Sequence, residues 1–335
     1  MLSLETLFAS LDLPPVTEEQ HALVSAALIS DHEHFRVAKD SDGRALLLAR
    51  VPNTAEEAMP PLVLEHLRVE RARPCRVRRS DGAIEPGIFT VITCSSHDAV
   101  LRSYFLSVAG LIVESSVQPL STTQLQSNVE AFVELFRSLQ QPARKSAQGL
   151  WAELVLILRS RRPDALIRAW HTQPGERFDF CIESDRVEVK STVGPHRKHH
   201  FSQAQLDVPQ GTNVVVASMF VERAGGGVSV RALVDRIGAR ISSEPDLLLR
   251  IESVVAATLG SSIRASSAES FDLERAEGSL QFFAGPTVPH MPGPIPPAIS
   301  DLRFVVDLGG VPPVDLQAMC DEREHMLMSC LLVAR

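Results

Sequence analysis

Asp179, Glu188 and Lys190 are the residues whose types and spacing point most directly to chemistry. They lie in one stretch, residues 178–192, which reads FDFCIESDRVEVKST. Apolar and polar residues alternate on both sides of a short polar turn, the pattern of a β-hairpin buried on one face. A turn at Ser184-Asp185 sets Asp179 opposite Lys190 and Cys181 opposite Glu188. Phe178, Phe180, Ile182, Val187 and Val189 then share a face that must be buried, while Asp179, Cys181, Glu188 and Lys190 share the other. Diagonal neighbours on such a face stand roughly 7–8 Å apart. Folding alone asks for no such grouping. Two carboxylates and an ammonium at that spacing suit a hard divalent cation beside a phosphate. The alternative is the solvated face of an ordinary hairpin.

Lysine is scarce: Lys39, Lys145, Lys190 and Lys198 are the four among 33 basic residues. At that frequency an acid-x-lysine triplet is expected roughly 0.5 times by composition alone, so the shared strand face carries more weight than the triplet. A further acid lies upstream. Residues 149–158 read GLWAELVLIL, in which Leu150, Trp151, Leu154, Val155 and Leu158 recur at helical spacing and Glu153 is the single charge. A carboxylate buried on such a helix needs a metal, a cation or a hydrogen-bond network; at the edge of the apolar stripe it would face water. Pro163-Asp164 also spells a Pro-Asp pair upstream of Glu188, but the sequence predicts that Pro163 ends a helix and that Asp164 follows in the turn. Asp179 is therefore the expected partner of Glu188.

The pattern Asp179-x8-Glu188-x-Lys190 resembles the metal-binding core of the PD-(D/E)XK nuclease superfamily, although Phe178 stands where the name has proline. The strings GLWAEL (149–154), VEVKST (187–192) and HFSQAQL (200–206) are similar to those of a bacterial family of PD-(D/E)XK motif proteins of about this length. The resemblance is clearest over residues 145–240. It implies an α/β (α+β) fold with a restriction-endonuclease-like core, a mixed sheet flanked by helices. It implies Mg2+ (or Mn2+) held by Asp179, Glu188 and Glu153, with Lys190 beside the attacking water. It also implies a metal-dependent DNA endonuclease leaving a 5′-phosphate and a 3′-hydroxyl. Gln205 would help orient water or substrate, or else serve as the capping partner of Ser202 at a helix start. Such proteins are encoded in anti-phage defence clusters beside ATPase or helicase-like proteins, so protein partners are expected. The rival expectation is a non-catalytic nuclease-fold subunit that binds nucleic acid or a partner.

The elements that must position these residues follow in order: a helix with Glu153, a strand near Ile167–Trp170, strands with Asp179 and with Glu188 and Lys190, a helix from Ser202 and a buried strand from Val214. Between them, Arg197, Lys198, His199 and His200 form a basic loop, read either as a phosphate contact or as merely solvated. With Cys181 the single cysteine nearby, the histidines do not make a structural zinc pattern. Gly225–Gly227 reads as a turn. Residues 286–297 hold six prolines and read as a loop. A strand at Leu302–Val306 and a final helix over Val314–Leu331 follow.

The N-terminal part reads as a separate α/β domain, residues 1–120, before the nuclease-like domain, residues 121–335, with its extension beyond the proline-rich loop. Thr17–Gln20 is a capping box for a helix to Ile29, followed by strands at Phe35–Ala38, Ala45–Val51, Cys75–Arg78 and Gly87–Cys94. Helices are predicted over 98–113 and 122–139. Arg68–Arg79 carries six arginines, as a phosphate-tracking surface or as an edge strand kept soluble by charge. Acids outnumber bases, 41 to 33, giving a net charge of −8 that works against an autonomous tight DNA binder. Five cysteines, an odd number without metal spacing, argue against a disulfide framework. With no secretory signal and no apolar run near the ~20 residues of a membrane span, a cytoplasmic, non-membrane protein is expected. Oligomerisation stays open.

Overall fold

The computed structural model describes residues 4–15, 23–50, 59–79, 81–116, 120–171, 176–207, 209–241, 244–291, 296, 298–299, 301–319 and 326–331. They form two compact units, Met1–Pro142 and Ala143–Arg335. The helix over Thr122–Ser138 therefore groups with the first unit, beyond the division expected after residue 120.

The first unit holds α1 (Leu4–Ala9), β1 (Leu23–Ile29), β2 (His32–Lys39), β3 (Ala45–Ala49), β4 (Leu62–Val63), β5 (Leu67–Arg78), β6 (Ile84–Cys94), α2 (Ala99–Ser115) and α3 (Thr122–Ser138). The strand order β1-β2-β3-β6-β5-β4, with a further parallel pairing of β1 to β5, closes the five longer strands into a barrel. Its interior is filled by Val24, Ala26, Ala38, Leu46, Leu48, Cys75, Val77, Phe89 and Val91. The expected helix to Ile29 is thus a strand, and its expected cap, Thr17–Gln20, lies outside the described residues. Leu23–Ile29 is a short apolar run whose periodicity does not separate helix from strand; pairing on both edges settles it. The edge-strand reading of Arg68–Arg79 also falls, because β5 bonds to β6 on one side and to β4 and β1 on the other. Glu70 takes Arg68 and Arg73, and Asp81 and Glu85 take Arg79. α2 and α3 join through Phe105, Phe132 and Phe136.

The second unit holds α4 (Ala147–Arg159), α5 (Pro163–Ala169), β7 (Phe180–Ile182), β8 (Asp185–Thr192), β9 (Lys198–Ser202), α6 (Gln203–Leu206), β10 (Asn213–Phe220), β11 (Arg223–Ser229), α7 (Val230–Arg240), α8 (Pro245–Leu259), α9 (Ile263–Ser266), β12 (Ser270–Phe271), α10 (Leu273–Ser279), β13 (Gln281–Ala284), β14 (Arg303–Asp307), α11 (Leu316–Met319) and α12 (Met326–Leu331). A four-stranded mixed sheet, β13-β10-β8-β7, is its centre. β7 and β8 form the antiparallel hairpin, and β10 runs parallel to β8 with Asn213 beside Asp185 and Ser218 beside Lys190. This is the α+β layout of a nuclease-like fold. α4 packs on β8, with α7 and α8 behind it. Ser146 caps α4 by accepting from Gly149 N–H at 3.2 Å. Leu150 to Ile157 are buried without a break, so α4 is a core helix rather than a one-faced amphipathic one.

Four sequence expectations change here. The hairpin pairs Phe180 with Val187 and Ile182 with Asp185, so the turn falls at Glu183-Ser184 and Asp179 extends opposite Glu188 rather than Lys190. The slip is two residues, which leaves every side chain on its expected face. Pro163 opens helix α5 instead of ending one, and Ile167 lies in that helix; only Trp170 bridges to Phe180 as a strand would. Proline at the first helical position forfeits an amide that has no partner there anyway. Gly225–Gly227 lies within β11, where Gly227 passes Phe271 so closely that a Cβ would sit 2.5 Å from its carbonyl oxygen. The expected terminal helix appears as α11 and α12, with residues 320–325 outside the described set.

Candidate active site

Three buried carboxylates lie on α4 and the hairpin that it packs against, and two of them converge. Glu153 comes from α4, Asp179 from the residue before β7, and Glu188 from β8. Each has one oxygen fixed by a donor within the same unit. Trp170 Nε1 donates to Glu153 Oε2 at 2.7 Å, and the Val189 N–H donates to Asp179 Oδ2 at 2.8 Å. Lys190 Nζ donates to Glu188 Oε1 at 2.6 Å and lies 5.0 Å from the centre of the Phe201 ring. The remaining oxygens of Glu153 and Asp179 turn to a single cation, Lys145: its Nζ donates to Glu153 Oε1 at 2.7 Å and to Asp179 Oδ1.

Burial and crowding shape the charges. Burial, then the Asp179 charge, pushes Glu153 up to about 8, against the pull of Lys145 and the Trp170 bond. The same two causes push Glu188 up to about 7, against the pull of Lys190. Burial works against the Lys145 ammonium, but Asp179 and Glu153 outweigh it and raise its pKa, so it stays charged. The arrangement is a buried cluster of acids in which two members share one ammonium, that of Lys145.

Such a donor set fits a hard divalent ion: carboxylate oxygens only, held by framework hydrogen bonds, with two of them aimed at one cation position. Among the described residues, no three His, Cys, Asp or Glu side chains stand close enough together to hold a metal ion. The pair that already converges is Glu153 with Asp179, and Lys145 stands between them.

The other expected site residues divide. Gln205 closes a capping box: its Oε1 accepts from Ser202 N–H at 3.1 Å and its Nε2 donates to Arg177 O at 2.9 Å. Each end of its amide makes one of these bonds, which is the geometry of the capping reading. Arg197 is buried and donates to Ser218 O at 2.9 Å, Ser218 Oγ at 2.8 Å and Ser279 O, so it is a framework residue rather than a phosphate contact. His199 is buried beside it, bonded to Ser218 Oγ at 2.8 Å; burial, Lys190 and Arg197 pull it down to about 4 and keep it neutral. Alternation along β9 leaves Lys198 and His200 exposed. Asp164 is held in a two-point pair by Arg162, at 3.0 and 2.7 Å, and is not part of the site.

Lys145 and Trp170 are the site residues that sequence reasoning missed. Lys145 is one of four lysines and stands next to a cap serine, a weak signal at most; its partners lie eight and 34 residues away. Trp170 stacks on Phe180, with ring centroids 6.2 Å apart, so Trp170→Phe keeps most of the packing and deletes the indole donor. A buried carboxylate that loses one donor costs about 1–3 kcal/mol. Urea unfolding of the variant should show a loss of that size, and an unchanged midpoint would mean that Trp170 does not fix Glu153.

A family model described as "Putative PD-(D/E)XK family member" (DUF4420) matches residues 4–309 of the chain. No curated protein and no solved structure matches it.

Proposed function

The chain belongs to this PD-(D/E)XK family, and on that premise we propose that it is a metal-dependent endonuclease that hydrolyses phosphodiester bonds in DNA. The observation that carries the proposal is the aim of Glu153 Oε1 and Asp179 Oδ1 at one cation position, beside the Glu188–Lys190 pair. Mg2+ or Mn2+ bound there would acidify a coordinated water and offset charge on the scissile phosphate. The chain's own residues do the rest. Trp170 and the Val189 amide hold two carboxylates in place, and Phe201 walls one side of Lys190. Lys190 offers an Nζ–H hydrogen bond to an anionic oxygen in the transition state. Lys198 and His200, exposed on β9, are the proposed phosphate contacts.

We place this activity in the cytoplasm, within an anti-phage defence system and with an ATPase or helicase-like partner. Family resemblance supports that setting, and so does the net charge of −8, which limits the grip of the lone chain on DNA. No helix among the described residues is long and apolar enough to cross a membrane.

A second reading, a non-catalytic subunit that binds nucleic acid or a partner, is favoured by Lys145, whose ammonium fills the position between Glu153 and Asp179. A cleavage assay on plasmid and phage DNA decides between them. Cleavage with Mg2+ or Mn2+, abolished by EDTA and lowered about 10²-fold in Lys190→Met, is the expected result. DNA binding without cleavage, alone and with co-expressed partners, would support the second reading.

A further inference from the structure

Lys145 differs from every other group in the site by its freedom to leave. Its side chain is 47% exposed, whereas those of Glu153 and Asp179 are 6% exposed. It precedes the cap residue Ser146, so its movement breaks no helical hydrogen bond. Lys190, by contrast, is 17% exposed, bonded to Glu188 and set against Phe201. The two acids that Lys145 bridges cannot follow it. Each is anchored through its other oxygen, to Trp170 Nε1 and to the Val189 N–H. Withdrawal of the ammonium therefore leaves two buried oxygens still aimed at an empty cation position.

We propose that Lys145 is the resident counter-cation of the carboxylate site and that a divalent ion binds only by displacing it. The inference rests on the metal-site reading of Glu153 and Asp179 given above. Two positive charges cannot share one position a few ångströms across, so ammonium and metal exclude each other. In metal-free protein Lys145 compensates the Asp179 charge and donates to Glu153; metal-bound protein releases that side chain to the surface. The exchange lowers metal affinity and spares the Asp179 carboxylate from standing bare between turnovers.

Two measurements on the full chain test this. Mn2+ titration followed by electron paramagnetic resonance should show Lys145→Met binding about 10-fold more tightly than wild type, a typical coupling for two ligands that oppose each other. The second needs no variant. Acetylation of the wild-type protein, read by peptide mass spectrometry, should reach Lys145 about 10-fold faster with saturating Mn2+ than with EDTA. Lys39 and Lys198 should react at the same rate in both. Equal Mn2+ affinity in wild type and variant, or an unchanged Lys145 acetylation rate in Mn2+-saturated protein, overturns the displacement idea and leaves the metal site standing. Absence of Mn2+ binding in both proteins overturns the metal-site reading and the displacement with it.

Discussion

Asp179→Asn should lower metal-dependent cleavage by about 10²–10³-fold and leave the metal-free protein within about 1 kcal/mol of wild type. The two halves of this expectation have separate causes. Asn keeps the shape of Asp and an oxygen for the Val189 N–H, but it removes the charge that a hard cation requires. Activity is lost because one of the two oxygens aimed at the cation position becomes a neutral amide atom. Stability survives because the Asp179 charge is also a burden: it is the second cause, after burial, of the raised pKa of both Glu153 and Glu188. Relief of that repulsion offsets the lost contact with Lys145, which keeps Glu153 as its partner. Activity and urea midpoint should be measured on the same preparation in EDTA and in Mn2+. Retained activity would remove Asp179 from the reaction. A loss of 3 kcal/mol or more, the scale of a broken buried ion pair, would show that its role is structural.

The hairpin shows what a sequence conveys about such a site and what it withholds. Face is set by parity, and parity survived a two-residue slip of the turn; the sharing of one face by Asp179, Glu188 and Lys190 was therefore legible while the pairing partner was not. Glu153 was legible as the lone charge in an apolar run, and the unbroken burial of Leu150 to Ile157 is why it cannot face water. Side chains that act across long separations were not legible. Nothing local marks Lys145 as a partner of Asp179, 34 residues on, or Trp170 as the donor to Glu153, 17 residues back. The basic loop misled for a different reason. Composition gave it four candidate phosphate contacts, but strand alternation on β9 exposes Lys198 and His200 and buries His199, and Arg197 is drawn inward by Ser218 and Ser279. In the first unit, a short apolar segment that a helix would have accepted was claimed by pairing on two edges.

The largest effect expected on stability is one of pH, and its sign runs opposite to that of ordinary carboxylates. Burial and the Asp179 charge push Glu153 up to about 8 and Glu188 up to about 7 in the folded metal-free protein, above the ordinary glutamate value of about 4.3 in an unfolded chain. Between those values the unfolded chain has released protons that the folded chain still holds. Stability therefore falls as pH rises, starting near the unfolded value and levelling off once the folded groups ionise between about 7 and 8. A shift of this size on one buried carboxylate is worth roughly 3 kcal/mol across the window. In EDTA, Tm at pH 8 should lie about 5 °C or more below Tm at pH 6. A bound divalent ion reverses the balance, because it holds the ionised acids and its binding releases protons. With saturating Mn2+ the same comparison should flatten or invert, and Mn2+ affinity should strengthen from pH 6 to pH 8. Asp179→Asn should weaken the pH effect in EDTA, since it removes the repulsion that raises both glutamates. A Tm in EDTA that is level or rising between pH 6 and pH 8 would mean that Lys145 and Lys190 already keep both glutamates ionised. In that case a metal would meet carboxylates compensated in advance, and its binding would release few protons.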